Sequence, residues 1–494
     1  MTISKLAVAS AFVVACGGPG STPPDGGADA DKPRVRTFSG ILHHRFVTAS
    51  GVKDVPANLA GAPLSALVPP SFASFPGTAN ADGTFSIPNL PVGTFYLVLG
   101  NRILVMSADT VDLSFDVLGR FDSRFATAST PLSFDVTGLS AWQSTDEIQM
   151  LSPGSGTSAY QMEQTATAGT PALGDTRLTG FTFDLSKAND PALIDGGAAD
   201  QLTLTQLATQ TDGTRTYRTV AKSFTPSGFT IANGGMASLT GAFSTPPQAT
   251  LDVTWDRPAF AAELVAHSPG SDSHNWSTLA ISTVPQASTR GLYTDGADLA
   301  IFAPGYLNDS TTVTAPWSYG DPYPSTWGKV AWVRYFRYRF IQLPSATPVA
   351  IFSRLLAYRD LSTVSAQAPI EPIMGTVVSP KINSADALGT ALLTGIGTMP
   401  TLSWTAPTTG TAARYYVTID LVMLQNGATA LKPLATLETA DTQLVIPPSL
   451  LIAGQTYVFE IESRSVGTVD LAATPNQRAL PEGAATVTTT MATP

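Results

Sequence analysis

Apolar and polar residues alternate along this chain in short runs, and Gly, Pro, Asn or Asp interrupts the pattern repeatedly. A period of two residues is typical of a β-strand with one buried face, whereas a helix needs a period of 3.6. The 494 residues include 41 Gly and 38 Pro, and only 13% are charged, about half the usual share. We therefore predict an all-β protein, built as tandem β-sandwich-like domains. The length favours roughly three or four of them.

Net charge narrows the choice of partners. The chain has 27 Lys and Arg against 37 Asp and Glu, which gives a net charge of -10. Binding to nucleic acid requires a basic surface that neutralises phosphates. The composition therefore argues against a nucleic-acid partner.

The amino end combines one positive charge with a short apolar segment. Lys5 precedes the uncharged residues 6–15, which are too few to span a bilayer, since a spanning helix needs about 20 apolar residues. This pattern is typical of a secretory signal. The segment ends in Val13-Val14-Ala15-Cys16, and Cys16 is the only Cys, so no disulfide can form within the chain.

This ending resembles the lipobox of bacterial lipoproteins. The resemblance implies cleavage of a signal peptide, residues 1–15, and acylation of the Cys16 thiol. It places the protein outside the cytoplasm, anchored in the membrane of the cell envelope by its acyl chains. Gly17 is no obvious inner-membrane retention signal, so we expect the outer membrane. The alternative is an ordinary secretory signal with an incidental Cys.

Residues 16–36 predict a disordered linker behind the acylated Cys. Its residues 17–31 contain no apolar side chain larger than Ala or Pro, and such a segment cannot bury a core.

Residues 37–118 carry a recognisable strand and turn pattern. Asp82-Gly83 predicts a hairpin turn, because Gly accepts a positive φ angle. Phe85 and Ile87 then alternate with polar residues, and Leu90-Pro91-Val92-Gly93 leads into the next apolar strand. The run resembles the carboxypeptidase regulatory-like, prealbumin-type β-sandwich. That resemblance implies a fold with no catalytic residues, which is structural or sometimes binds sugars.

Residues 376–494 predict a second β-sandwich. Trp404 lies in an alternating strand, and Leu451 stands six residues before Tyr457, with Gly454 between them. The spacing resembles the tyrosine corner at the start of a late strand of a sandwich. Together these residues resemble a fibronectin type III domain, which implies a spacer, an adhesion surface or an accessory part of a glycan-active enzyme.

The central residues 119–375 resemble no family and contain a weak internal duplication, which suggests repeats at 119–244 and 245–375. Similar short motifs recur at an offset near 117 residues. Residues 134–137 correspond to residues 251–254, Glu147-Ile148 to Glu263-Leu264, and the Ser-Pro-Gly-Ser motif at 152–155 to the same motif at 268–271. The recurring acids include Asp135, Glu147, Asp252 and Glu263, and their recurrence favours a structural role over a glycosidase pair.

Aromatic residues concentrate between positions 317 and 340. Flat aromatic faces stack on sugar rings and cations. Trp317, Tyr319, Tyr323 and Trp327, around a Pro- and Gly-rich loop, are candidates for an exposed ligand-binding surface, and burial in a core is the alternative. A further set is expected to form the inward face of the following strand: Trp332, Phe336, Tyr338 and Phe340.

No catalytic motif stands out, and we predict no cofactor. His267, Asp272 and His274 lie within eight residues and are weak candidates for a metal site. Leu151 replaces His267 in the first repeat, which favours a polar turn.

Three functions are compatible with these features. The first is a non-enzymatic binding, adhesion or scaffold protein of the envelope, with envelope proteins or glycans as partners. The second is a carbohydrate-binding surface protein that uses the aromatic residues of 317–340. The third is a secreted hydrolase with its site in the central region.

Overall fold

We analysed a computed structural model of the protein. It describes residues 34–494, apart from residues 101, 162–165, 189–190, 213–214, 268–274, 286–290, 295 and 306–310. Cys16, the signal peptide and most of the predicted linker therefore lie outside the described residues. Strands account for 54% and helices for 5%, which confirms the all-β prediction. No helix in the described part of the chain is long and apolar enough to cross a membrane.

The strands are described below in three modules, named after the predicted boundaries, which stay a prediction. The N-terminal module, residues 34–118, contains eleven strands: β1 Val35–Ile41, β2 His43–Thr48, β3 Gly51–Pro56, β4 Leu64–Val68, β5 Ala73–Pro76, β6 Thr78–Ala79, β7 Thr84–Pro91, β8 Phe95–Leu99, β9 Arg102–Met106, β10 Thr110–Asp112 and β11 Phe115–Leu118.

The predicted turn before β7 forms as expected. Gly83 has a φ angle of 77°, and the side chain of Asp82 accepts a hydrogen bond from the backbone N–H of Thr84 at 3.0 Å. Phe85 and Ile87 are buried in the core of this module.

The central module, residues 119–375, contains fourteen described strands and one α-helix: β12 Pro131–Thr137, β13 Glu147–Ser152, β14 Thr157–Gln161, β15 Ala166–Ala168, β16 Arg177–Asp184, β17 Thr203–Asp212, β18 Arg215–Phe224, β19 Ala237–Ala242, β20 Gln248–Trp255, α1 Arg257–His267, β21 Asn275–Val284, β22 Asp298–Gly305, β23 Val313–Gly320, β24 Gly328–Ile341 and β25 Val349–Asp360. Short 3-10 helices occupy Leu185–Lys187, Gly196–Ala198, Leu292–Thr294 and Leu361–Thr363.

The helix α1 is capped and amphipathic. The side chain of Asp256 accepts a hydrogen bond from the backbone N–H of Ala259 at 3.2 Å, which satisfies one donor of the first turn. Phe260 and Leu264, four residues apart, share one face of the helix and are fully buried. The helix thus contributes an apolar stripe to the central core.

The C-terminal module, residues 376–494, contains ten strands: β26 Val378–Ile382, β27 Ala385–Asp386, β28 Leu393–Thr394, β29 Thr401–Thr405, β30 Arg414–Gln425, β31 Ala428–Thr439, β32 Gln443–Val445, β33 Thr456–Val466, β34 Glu482–Thr488 and β35 Ala492–Thr493. Its core includes Trp404, packed edge-on against Tyr415. The Tyr457 hydroxyl accepts a hydrogen bond from the backbone N–H of Ile452 at 2.8 Å, which is the geometry predicted for the corner.

One sheet runs through all three modules and contains 18 of the described strands. Its main path passes through β13, β17, β18, β22, β21, β24 and β25, then β34, β33, β30 and β31, and then β9, β8 and β4. The pairing of β25 with β34 joins the central and C-terminal modules. The parallel pairing of β9 with β31 joins the C-terminal and N-terminal modules. The modules are therefore paired edge to edge.

A buried ion cluster lies where β9 meets β31. The Glu438 carboxylate accepts a hydrogen bond from Arg102 Nη2 at 3.0 Å and lies 3.4 Å from Nε of Arg414. The side chains of Arg414 and Glu438 are only 2% and 3% exposed. A charge buried this deeply needs its partner.

The connection between β33 and β34 reinforces this junction. Arg414 donates to the backbone oxygen of Leu471 in this connection. The backbone oxygen of Ala473 accepts a hydrogen bond from the backbone N–H of Asp112, in the N-terminal module, at 2.9 Å. Asn476 also donates to the backbone oxygen of Leu113.

We predict that Glu438→Gln lowers the free energy of unfolding by about 3–5 kcal/mol, because Arg414 then keeps a buried charge without its carboxylate partner. Urea denaturation followed by circular dichroism measures the change. Asp135→Asn is the matched control: the Asp135–Arg177 pair is about half exposed, so its loss should cost less than about 1 kcal/mol. Equal effects of the two variants would contradict the prediction.

The core of the central module lies between the large sheet and a cover formed by α1 and the β20–β23 pair. Trp255, Phe260 and Trp317 of the cover are all buried. Trp317 stacks on Tyr217 of the large sheet with ring centroids 5.5 Å apart and an interplanar angle of 15°. The opposite face of the large sheet, called the outer face below, is not covered by these elements.

We predict that Trp317→Ala destabilises the protein by about 3–5 kcal/mol, the usual cost of a large cavity in a core. Phe340→Ala, at a side chain that is 54% exposed, should stay within about 0.5 kcal/mol of the wild type. Thermal unfolding of both variants checks this. A stable Trp317→Ala protein would show that this side chain is not part of the core.

Candidate functional site: two clefts on the outer face

The four aromatic residues predicted to bind a ligand do not form an exposed surface. Trp317, Tyr319 and Tyr323 are 2%, 4% and 9% exposed, so their predicted exposure is wrong. Trp317 and Tyr319 lie on β23, whose partner is β20, and this pair packs against the large sheet. Burial raises the pKa of both tyrosines. Trp327 is half-buried and stacks on Tyr323 with centroids 5.4 Å apart.

The orientation expected for β24 is also reversed. Val333 and Tyr335 are fully buried, and they face the central core. Trp332 and Phe336 therefore point to the outer face, because side chains alternate along a strand. Tyr338 and Phe340 share that face, and Phe340 is more than half exposed.

Three of the β24 side chains and residues from the two neighbouring strands form an open cleft of about 390 Å³, which we call the aromatic cleft. Its lining residues are Trp276, Phe336, Tyr338, Phe340, Ala350 and Phe352. Register brings them together, since Trp276 pairs with Phe336 and Phe352 with Tyr338. The Trp276 and Phe336 rings lie 5.0 Å apart, and Phe336 and Phe352 lie 5.9 Å apart, edge to face.

A row of charges borders the aromatic cleft. Arg354 is the cross-strand partner of Phe336 on β25, and its side chain is 38% exposed. Its Nη2 donates to Glu462 at 3.3 Å and its Nε to the Thr486 hydroxyl at 3.1 Å. Burial raises the pKa of Glu462, but Arg464 and Arg354 outweigh it and hold the pKa below its usual value. The guanidinium group beside the cleft is therefore held in place by two hydrogen bonds.

A second, polar cleft of about 480 Å³ lies on strands β13, β17, β18 and β22, and we call it the polar cleft. Its lining includes the hydroxyls of Ser144, Thr145, Thr209 and Thr216 and the ion pair of Glu147 and Arg218. Glu147 and Arg218 are joined by a short hydrogen bond, and their side chains are 18% and 24% exposed. The cleft thus offers both donors and acceptors to a ligand.

A largely buried carboxyl group belongs to Asp298 of β22, whose cross-strand partner on β21 is Ser282. The Trp332 indole donates to the Ser282 hydroxyl at 2.8 Å, and this hydroxyl donates to Asp298 at 2.5 Å. Gln149 accepts a hydrogen bond from the backbone N–H of Asp298 at 3.0 Å. Burial raises the pKa of Asp298 to about 6, although the bonds from Ser282 and Gln149 lower it.

Three of the four recurring acids, Asp135, Glu147 and Glu263, have structural partners. Asp135 accepts from Arg177 at 2.7 Å, and Glu147 pairs with Arg218. Glu263 accepts from the backbone N–H of Thr376 and from the Thr409 hydroxyl. Glu147 lies on a strand whereas Glu263 lies on α1, so the two motifs of the duplication differ here in secondary structure.

The weak metal candidates receive no support. His267 is the last residue of α1, and Asp272 and His274 lie outside the described residues. Among the described residues, no group of three or more His, Cys, Asp or Glu could hold a metal ion.

Comparison with known proteins identifies no family for this chain. No family model matches the sequence, and no curated protein matches it. Among solved structures, a leucine-rich repeat protein from Bacteroides thetaiotaomicron VPI-5482 matches with 10% identity and a TM-score of 0.13. The match covers 46% of this chain and 24% of that protein, so the chain spans about a quarter of its length. A likeness this weak supports no statement about fold or function.

Sequence reasoning missed two aromatic members of the aromatic cleft, Trp276 and Phe352. A signal for Phe352 was present: the segment around Ser345 joins β24 to β25, and residues equidistant from it pair, as Tyr338 and Phe352 do. Trp276 is separated from β24 by β22 and β23, so no local pattern reveals its position.

We predict that Asp298→Asn removes a pH dependence of stability. Because the folded pKa is raised to about 6, the folded protein loses stability as pH rises from about 4 through 6, while the unfolded chain is already ionised. Relative to the wild type, Asp298→Asn should therefore gain roughly 2–3 kcal/mol between pH 4 and pH 7. Urea denaturation across this pH range measures it.

Asp184→Asn is the control, and its expected change in stability relative to the wild type has the opposite sign. Although Asp184 is buried, hydrogen bonds from Thr130 and Ser186 lower its pKa to about 2. Its carboxylate therefore stabilises the protein above about pH 4, and the variant should lose stability there relative to the wild type. Parallel pH curves for Asp298→Asn and wild type would contradict the assignment.

Proposed function

We propose that this chain is a non-enzymatic, glycan-binding protein of the bacterial cell envelope. The aromatic cleft carries this proposal. Five aromatic side chains from three neighbouring strands line one open cleft on the outer face, and Phe340 and Phe352 are 54% and 42% exposed. Contiguous exposed apolar surface on a folded protein marks an interaction site.

The chemistry of the aromatic cleft favours a sugar. Aromatic rings offer flat faces for the C–H surface of a pyranose ring and a large contact area. The Tyr338 hydroxyl and the Arg354 guanidinium stand beside these rings, and Arg can donate several hydrogen bonds to hydroxyl groups. A purely apolar ligand would form no hydrogen bonds with this charged border.

The location and the two outer modules belong to the same proposal. The Val13-Val14-Ala15-Cys16 ending supports export and anchoring by an acylated Cys16, and we propose the outer membrane. The Gly83 turn supports a carboxypeptidase regulatory-like N-terminal module. The Tyr457 bond to Ile452 supports a fibronectin type III C-terminal module.

A pull-down with insoluble polysaccharides tests the function. The full chain with Cys16→Ala, which blocks acylation, is mixed with chitin, cellulose, xylan, mannan or peptidoglycan. We expect at least one to retain the protein, and Phe336→Ala and Tyr338→Ala to weaken binding roughly two- to tenfold each, since an aromatic contact contributes about 0.5–1.5 kcal/mol.

Phe125→Ala is the matched control. Phe125 is 55% exposed but lines a different cleft, with Phe46 and Phe115, so binding should not change. Equal loss in Phe125→Ala would indicate nonspecific adsorption. If no glycan is retained, the glycan-binding function is wrong, and the scaffold or adhesion function remains.

A further inference from the structure

The polar cleft and the aromatic cleft lie on the same face of one sheet. Cross-strand partners point to the same face. Arg218 pairs with Ile301, Ile301 pairs with Ala280, and Ala280 pairs with Trp332. Trp332 and Phe336 are four positions apart on β24, an even number, so they point to the same face as well. That the two clefts share a face therefore follows from strand pairing within the central module alone.

The spacing of the strands gives the distance between the two clefts. Arg218 on β18 and Phe336 on β24 are separated by three strand gaps, about 14 Å sideways. The four residue steps from Trp332 to Phe336 add about 13 Å along the strand. The separation is roughly 20 Å, which is longer than a single sugar ring and is compatible with a short linear chain.

The path between the two clefts carries polar groups. Arg334 is exposed, and its guanidinium carbon lies 5.0 Å from the centre of the Trp332 ring. Thr278 is the cross-strand partner of Arg334. Its hydroxyl is buried and has no hydrogen-bond partner in the described structure. A polyhydroxylated chain that crosses this region meets the exposed guanidinium of Arg334, a hydrogen-bond donor, whereas the Thr278 hydroxyl lies beneath the surface.

The chemistry of the polar cleft complements sugar hydroxyl groups. Each sugar hydroxyl can donate and accept one or more hydrogen bonds. The carboxylate of Glu147 accepts, the guanidinium of Arg218 donates, and Thr209 and Thr216 do both. Because Asp146 accepts from the backbone N–H of Thr209 at 3.1 Å, one wall of the cleft is held in place.

We propose that the two clefts form one extended site for a linear oligosaccharide, with the aromatic cleft stacking on one end and the polar cleft binding hydroxyl groups at the other. This inference rests on the proposed glycan-binding function and specifies its ligand as a chain long enough to reach both clefts. Occupancy of both clefts by one molecule makes the second contact intramolecular.

Binding as a function of chain length tests the inference. Size-fractionated oligomers of chitin, cellulose, xylan and mannan, from single rings to long chains, are titrated against the full Cys16→Ala chain by calorimetry. We expect affinity to rise by on the order of tenfold to a hundredfold once the chain reaches both clefts, and then to level off.

The double variant Glu147→Ala/Arg218→Ala removes the donor and the acceptor together, which avoids leaving an unpaired charge. It should abolish the gain for long chains and leave the binding of single rings unchanged. Asp135→Ala/Arg177→Ala removes an exposed ion pair from a different sheet, and it should leave the length dependence as in the wild type. Thermal unfolding confirms that each variant is folded.

The outcomes separate the two proposals. If single rings bind as tightly as long chains, or if the double variant keeps the full gain with length, the extended site is wrong while glycan binding at the aromatic cleft stands. If no oligomer of any length binds, the glycan-binding function and the extended site both fail.

Discussion

Backbone hydrogen bonds between strands of different modules are the constraint on which the arrangement depends. β25 and β31 would present open edges to solvent if their modules stood alone, and open edges invite wrong pairing. Here β34 covers part of β25, and β9 pairs with β31. The buried carboxylate of Glu438, with its partners Arg102 and Arg414, makes the second junction specific. The outer face is consequently one surface, in which the positions of the two clefts follow from strand register.

The asymmetry of the central module decides which aromatic residues are available. The helix α1 and the β20–β23 pair place Trp255, Phe260 and Trp317 over one face of the large sheet. That cover buries Tyr335, whereas its neighbour Phe336 points the other way, into the aromatic cleft. The side chains on the covered face stabilise the core. The exposed side chains of the aromatic cleft, such as Phe340 and Phe352, contribute less to stability, so they are available for binding.

Sequence alone predicted the fold class and several local structures because these depend on short-range chemistry. The Asp82-Gly83 turn formed as expected, and the Tyr457 hydroxyl accepts a hydrogen bond from the backbone N–H of Ile452, as in a tyrosine corner. The orientation of β24 could not be predicted, because both of its faces carry aromatic residues and arginines: Trp332, Arg334 and Phe336 on one, Tyr335 and Arg337 on the other. Which face is buried depends on α1 and β23, which are brought there by the tertiary fold.

The edge-to-edge junctions also have a mechanical consequence. Under the proposed glycan-binding function, a ligand on the outer face pulls on β24 and β25, and the tension passes through β34, β33, β30 and β31 to β9. One route to the N-terminal module is therefore a ladder of backbone hydrogen bonds between paired strands. Such a ladder yields only when strands are sheared or peeled apart. The C-terminal module therefore acts as a stiff connection between the outer face and the part of the chain that precedes β1.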